Sequence, residues 1–216
     1  MNNSNTAKRL SLRSNSHLTK CAVIAVLSAL AAVVMIFEIP LPFAPTFYKL
    51  DFSEVIIMIG GFAYGPLAAA VMELIKVVVN TVITSTYSGY VGELANFIVG
   101  CALTVPAAAI YKYAKHTKVT MVISMLVGTV IMSVVAAFVN YYILIPAFAQ
   151  FTPIEKIIEL GTKINRSITD KKTLVIFATV PFNAFKGIVA TAITVVIYPN
   201  IRRIFKDLPE DKKAES

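Results

Sequence analysis

The sequence predicts an all-α integral membrane protein of six transmembrane helices, with both termini cytoplasmic. Three observations carry that expectation. The chain is 57% hydrophobic and only 15% charged, where soluble domains carry about 25% charged residues, and its mean hydropathy is +0.74. Its apolar runs reach spanning length, the last covering about 26 residues from Thr173 to Tyr198. Its basic residues cluster beside those runs. A net charge of +8 placed in this way fits membrane topology, and no nucleic-acid partner is expected. At 216 residues one domain suffices. It is expected over residues 19–200, between cytoplasmic tails at 1–18 and 201–216. Cys21 and Cys101 lie in apolar segments and read as packing residues.

In chain order, residues 1–18 are polar and basic and read as a disordered tail. The first helix is expected over Thr19–Phe37. Ala29-Leu30-Ala31 resembles a signal-peptide cleavage site, but the apolar run continues past it. A loop with Pro40, Pro42 and Pro45 follows. A short second helix, Phe52–Ala63, ends at Gly60-Gly61 and Gly65-Pro66, and Pro66 opens a third helix to Ile83. Ser85–Gly92 reads as a Gly/Ser/Tyr loop, Glu93–Tyr113 as the fourth helix and Val119–Ile145 as the fifth. A long polar connection, with an amphipathic stretch at Ile154–Leu160, leads to the sixth helix.

Six crossings place Lys8, Arg9, Arg13 and Lys20, then Lys112, Lys115 and Lys118, then Arg202, Arg203, Lys206, Lys212 and Lys213 on one side. That is the cytoplasmic side by the positive-inside rule. The loop after the first helix, the loop before the fourth, the end of the fifth and the start of the sixth then share the exterior. Tyr48, Lys49, Asp51, Ser88, Gly89, Gly92, Glu93, Asn96, Asn140, Asn183 and Lys186 are expected to converge there on a pocket, with Asn140 roughly 8 Å deep.

Asn183 and Lys186 lie three residues apart on one helix face, behind Pro181. A lysine inside a span costs about 2.5–3.5 kcal/mol unless it is paired or faces a cavity. An amide reads heterocycle edges or hydroxyls, and an ammonium reads a carbonyl, carboxylate or phosphate. The competing structural reading pairs Lys186 with an acid such as Glu93. Glu73, Lys76 and Asn80 share a face of the third helix and read as an internal ion pair stabilising the bundle. Ala22, Ala25, Ala29 and Ala32 form a stripe of the small-xxx-small kind that permits close helix approach. No P-loop, HExxH or paired CxxC motif occurs. No catalytic residue, metal ligand or resident cofactor is therefore expected.

Four segments together resemble a known family: Tyr48-Lys49-Leu50-Asp51-Phe52-Ser53-Glu54, Gly60-Gly61-Phe62-Ala63-Tyr64-Gly65-Pro66, Gly89-Tyr90-Val91-Gly92-Glu93-Leu94-Ala95-Asn96-Phe97 and Asn183-Ala184-Phe185-Lys186. The chain resembles the substrate-binding S component of energy-coupling factor (ECF) vitamin transporters, most closely the riboflavin-specific type, over about residues 19–200. The resemblance implies a multi-pass protein of the bacterial plasma membrane that captures a vitamin from outside and hydrolyses no ATP. It implies docking on a transmembrane coupling protein and two ATPase subunits, with Ala25 and Ala29 at the docking surface. By position, Tyr48, Leu50, Asn140, Asn183 and Lys186 match flavin contacts, with Gly89 and Gly92 in the adjoining loop. Riboflavin or its phosphorylated form, FMN, is the implied ligand. Tyr90 is bulkier than the small residues such a loop favours. The alternatives are another vitamin (thiamine, biotin, folate or pantothenate), a small membrane enzyme built on Glu93 and Lys186, or a structural subunit without ligand.

Overall fold

The computed structural model describes residues 3–83 and 90–206, with side chains over 17–83 and 90–205. The elements are α1 (Asn3–Ile36), β1 (Ile39–Pro40), β2 (Lys49–Leu50), α2 (Ser53–Tyr64), α3 (Pro66–Ile83), α4 (Val91–Tyr113), α5 (Lys118–Val139), α6 (Ile145–Phe148), α7 (Ile154–Thr162), α8 (Lys171–Leu174) and α9 (Val180–Lys206). A π-helical segment, π1 (Asn140–Leu144), joins α5 to α6, and a second, π2 (Val175–Thr179), joins α8 to α9. Each therefore lies inside one continuous helical rod.

The expected helix order holds, with four corrections. α1 starts at Asn3 rather than Thr19, so the expected disordered tail carries helical backbone. No Gly or Pro interrupts Asn3–Ile36, and a helix nucleated in the apolar span propagates cheaply through such residues. Among the described residues, five helical stretches are long and apolar enough to cross a membrane: His17–Ile36, Pro66–Ile83, Val91–Tyr113, Lys118–Phe148 and Lys171–Phe205. α2, with 12 residues, falls short of the ~20 that a full crossing needs and is instead largely buried. The proline-rich loop carries a small antiparallel ribbon, with Ile39 opposite Leu50 and Pro40 opposite Lys49. Gly92 lies in the first turn of α4 rather than in a loop.

Polarity is arranged inside out. Val26, Leu74, Val78, Val82, Val130 and Val196 are exposed, as lipid-facing positions require. Ser124, Thr129, Ser133 and Thr191 are buried. Their hydroxyls donate to carbonyls of their own helices, as in Thr129 to Met125 at 2.8 Å and Thr191 to Gly187 at 2.6 Å, so none enters the bundle unsatisfied. Close approach replaces the missing hydrophobic drive. A Cβ on Gly128 of α5 would meet the Leu103 carbonyl of α4 at 2.5 Å. The sharp α2–α3 junction turns on Gly65 at φ 97°, a left-handed conformation favoured by glycine, and Pro66 then opens α3.

One apolar cluster sets the place of the site. Ala44 and Tyr48 of the first loop pack with Ile145, Ile157, Ile168, Leu174, Val175, Ala178 and Phe182. The loop is thereby seated on the tips of the α5–α6 and α8–α9 rods, with α7 alongside.

Candidate functional site

The two π segments have a common cause. Pro146 and Pro181 lack the N–H that would bond the carbonyl four residues back, and their rings crowd that carbonyl. Those carbonyls belong to Tyr142 and Phe177, in the middle of π1 and π2. The helix widens in response. The N–H of Ile145 donates to the Asn140 carbonyl and that of Val180 to the Val175 carbonyl, each five residues back. Such bulges recur at functional sites. Here they put Asn140, the first residue of π1, and Thr179, the last of π2, within reach of one side chain.

That side chain is Tyr48. Its hydroxyl donates to Asn140 Oδ1 at 2.8 Å and lies 2.5 Å from Thr179 Oγ1. Its ring stacks on Phe182, with centroids 5.1 Å apart and planes 21° apart, and touches Phe47 at 4.6 Å. Burial pushes the Tyr48 hydroxyl pKa up, against the bond to Thr179, so it remains a neutral donor. The Asn140 and Asn183 side chains each donate to a backbone carbonyl one turn back, Ala136 at 2.9 Å and Thr179 at 2.8 Å. These bonds fix both amide orientations. Leu50 is buried in β2.

Lys186 lies one turn further along α9. Its ammonium donates to Asp51 Oδ2 at 2.9 Å and lies 3.4 Å from Glu54 Oε1. The competing structural reading pairs Lys186 with an acid such as Glu93; the acids it meets are Asp51 and Glu54. The expected internal pair is present and larger than expected: Lys76 lies 2.7 Å from Glu73 and 3.1 Å from Glu54. Burial opposes ionisation of Asp51, yet Lys186 and then Lys76 hold its carboxyl below the usual range. The Ser53 amide and hydroxyl also donate to Asp51 Oδ1.

The other predicted residues separate. Lys49 pairs with Glu38 across the ribbon at 2.6 Å, near the surface. Asn96 reaches Met35 of α1 at 4.0 Å. Gly89 and Ser88 lie outside the described residues. On α1, Ala22, Ala25 and Ala29 are exposed while Ala32 is fully buried, so the alanine stripe is split between an outer and an inner face. Thr179, Phe182 and Glu54 were not singled out as site residues; the prolines after the two bulges were the available signal for the first two. A cleft of about 510 Å³ on the flank of the π segments is lined by Ala137, Phe138, Tyr141, Tyr142, Lys172, Val175 and Ile176, none of them a predicted site residue.

Residues 19–198 match the family model described as ECF transporter, substrate-specific component. The chain belongs to this family. It is 33% identical to the riboflavin transporter FmnP of Bacillus subtilis over 85% of this chain and 92% of that one. It is 29% identical to the riboflavin transporter RibU of Staphylococcus aureus over 94% and 98%. A solved structure described as the S component of a bacterial ECF transporter superposes with a TM-score of 0.68 at 28% identity, covering 88% of this chain and 99% of that chain. The protein is therefore a multi-pass component of a cell-membrane transporter and not an enzyme. Its family role implies a vitamin substrate and the partners of an energy-coupling module.

Proposed function

We propose that this S component captures riboflavin, or FMN, from the exterior and delivers it through an ATP-driven partner module. The observation that carries the reading is the Tyr48 junction, where neutral hydrogen bonds to Asn140 and Thr179 tie the first loop to both π segments amid aromatic side chains. A flat, largely apolar heterocycle with one polar edge suits these groups. Its ring is covered by Tyr48 and Phe182, a contact adding about 0.5–1.5 kcal/mol beyond burial. Its carbonyls and hydroxyls take up Asn140, Asn183 and Lys186. Tyr48 releases its own bonds as the loop lifts, and the ligand replaces them. Leu50, Gly89 and Gly92 complete the proposed contacts. The relatives named as riboflavin transporters, similar over most of their length, support the same ligand.

In this reading both termini are cytoplasmic, the Tyr48 end of the bundle faces out, and the exposed Ala25 and Ala29 of α1 meet the transmembrane coupling protein of a module with two ATPases. The test is an absorbance spectrum of the detergent-purified protein, followed by riboflavin titration read by flavin fluorescence. The expected result is a flavin band or saturable quenching, weakened on the order of tenfold or more in Asn183→Ala and Lys186→Ala. Absence of both signals in the wild-type protein rejects riboflavin and turns the search to other vitamins.

A further inference from the structure

Below the Tyr48 junction lies a group of charges whose sum does not close. Asp51, Glu54 and Glu73 supply three carboxyl groups, and Lys76 and Lys186 supply two ammoniums, linked in sequence by ion pairs. Glu54 is 1% exposed, and Glu73 and Lys76 are 0% exposed. If every group were ionised, the bundle would enclose one uncompensated negative charge, which a low-dielectric interior resists strongly. Among the described residues, the ion pairs to these acids come from Lys76 and Lys186 alone. From α4, the Thr104 hydroxyl reaches Glu73 Oε1 at 3.5 Å, and Gly100 packs so closely that a Cβ there would meet Glu73 Oε2 at 2.7 Å. Asn80, buried on the same face of α3, carries no charge.

The two glutamates show where compensation occurs. Both carboxyl groups share the one ammonium of Lys76, Glu54 Oε1 at 3.1 Å and Glu73 Oε2 at 2.7 Å, and two like charges in one buried site disfavour ionisation of both. Glu54 Oε2 is buried with no hydrogen-bond partner among the described residues, and Glu73 Oε2, though 2.7 Å from Lys76, is not aligned for a hydrogen bond. We propose that Glu54 and Glu73 form a proton-binding site holding one proton in the folded protein, with Glu73 as its carrier. Glu54 faces both Lys76 and Lys186 and stays ionised, whereas Glu73 faces only Lys76. One bound proton leaves two carboxylates against two ammoniums, a neutral cluster beside the ligand site. The proton belongs to the fold, whatever vitamin is carried.

Infrared spectroscopy of the purified full-length protein at about pH 8, where solvated carboxyl groups are ionised, tests this. The wild-type protein is expected to show a protonated-carboxyl C=O stretching band, lost in Glu73→Gln. The band is also expected to be lost in Asp51→Asn. That substitution removes one acid from the count, so the two remaining acids balance the two lysines without a proton. A wild-type protein with no such band overturns the site, even if neither variant folds. A band that survives Glu73→Gln places the proton elsewhere. A band that survives Asp51→Asn contradicts compensation by charge count.

Discussion

Two layers of polar groups lie one helical turn apart along α9, and they differ in kind. The upper layer, Tyr48, Asn140, Thr179 and Asn183, is neutral and joins a loop to the tips of two helical rods. The lower layer, Asp51, Glu54, Glu73, Lys76 and Lys186, is charged and joins α2, α3 and α9 with Asp51 of the segment leading into α2. A neutral hydrogen bond contributes about 0.5–1.5 kcal/mol net, a scale that a ligand can match by offering equivalent groups. A buried charge left without its partner costs about 3–5 kcal/mol, too much to exchange during each capture cycle. The upper layer therefore suits recognition and the lower one holds the bundle. Lys186 belongs to the lower layer by its partners and to the proposed ligand site by its position.

The largest effect that would sharpen this contrast is expected from Lys76→Ala. Removing the cation that bridges Glu54 and Glu73 is expected to destabilise the fold by about 3–5 kcal/mol, read as a lowered denaturation midpoint in detergent. A loss below about 1 kcal/mol would make the lower layer no more structural than a surface ion pair. An intermediate effect is expected from acid. Asp51 is held below its ordinary pKa in the fold, so its contribution is present above the unfolded value, about pH 3.9, and is lost as pH falls through the folded one. Asp51→Asn in a Glu73→Gln background, where no third acid can take up the charge, is expected to flatten that acid limb of the stability profile; an unchanged limb would remove Asp51 from the layer. The smallest effect is expected from Tyr48→Phe. It keeps the ring on Phe182 and loses only the hydroxyl bonds, about 1 kcal/mol of stability, with riboflavin binding retained. Abolished binding in that variant would show that the hydroxyl is a direct ligand contact and not a group that the ligand displaces.

Much of this arrangement was legible in the chain. Pro66 and the preceding glycines mark the α2–α3 junction because both residue types restrict or free φ locally. Asn183 and Lys186 stand out because polar groups inside an apolar run need a reason. Glu73 and Lys76 are paired by helical spacing alone. What escaped depends on distance through space. Asp51 and Lys186 are 135 positions apart, and no local pattern selects Asp51 over Glu93 as the partner. The prolines at 146 and 181 were visible, but the widening they induce brings Asn140 and Thr179 together only because the two rods lie side by side. The 12-residue length of α2 matches the expected one, with both bounds one residue later. Its falling short of a full crossing became clear only beside the five longer spans.

The separation of the two layers is tested most directly by measuring riboflavin affinity and denaturation midpoint together on wild type and Asn183→Ala. The account predicts affinity weakened on the order of tenfold or more, with stability lowered by no more than about 1 kcal/mol. Unchanged affinity, or a loss of stability comparable to that of Lys76→Ala, would contradict it.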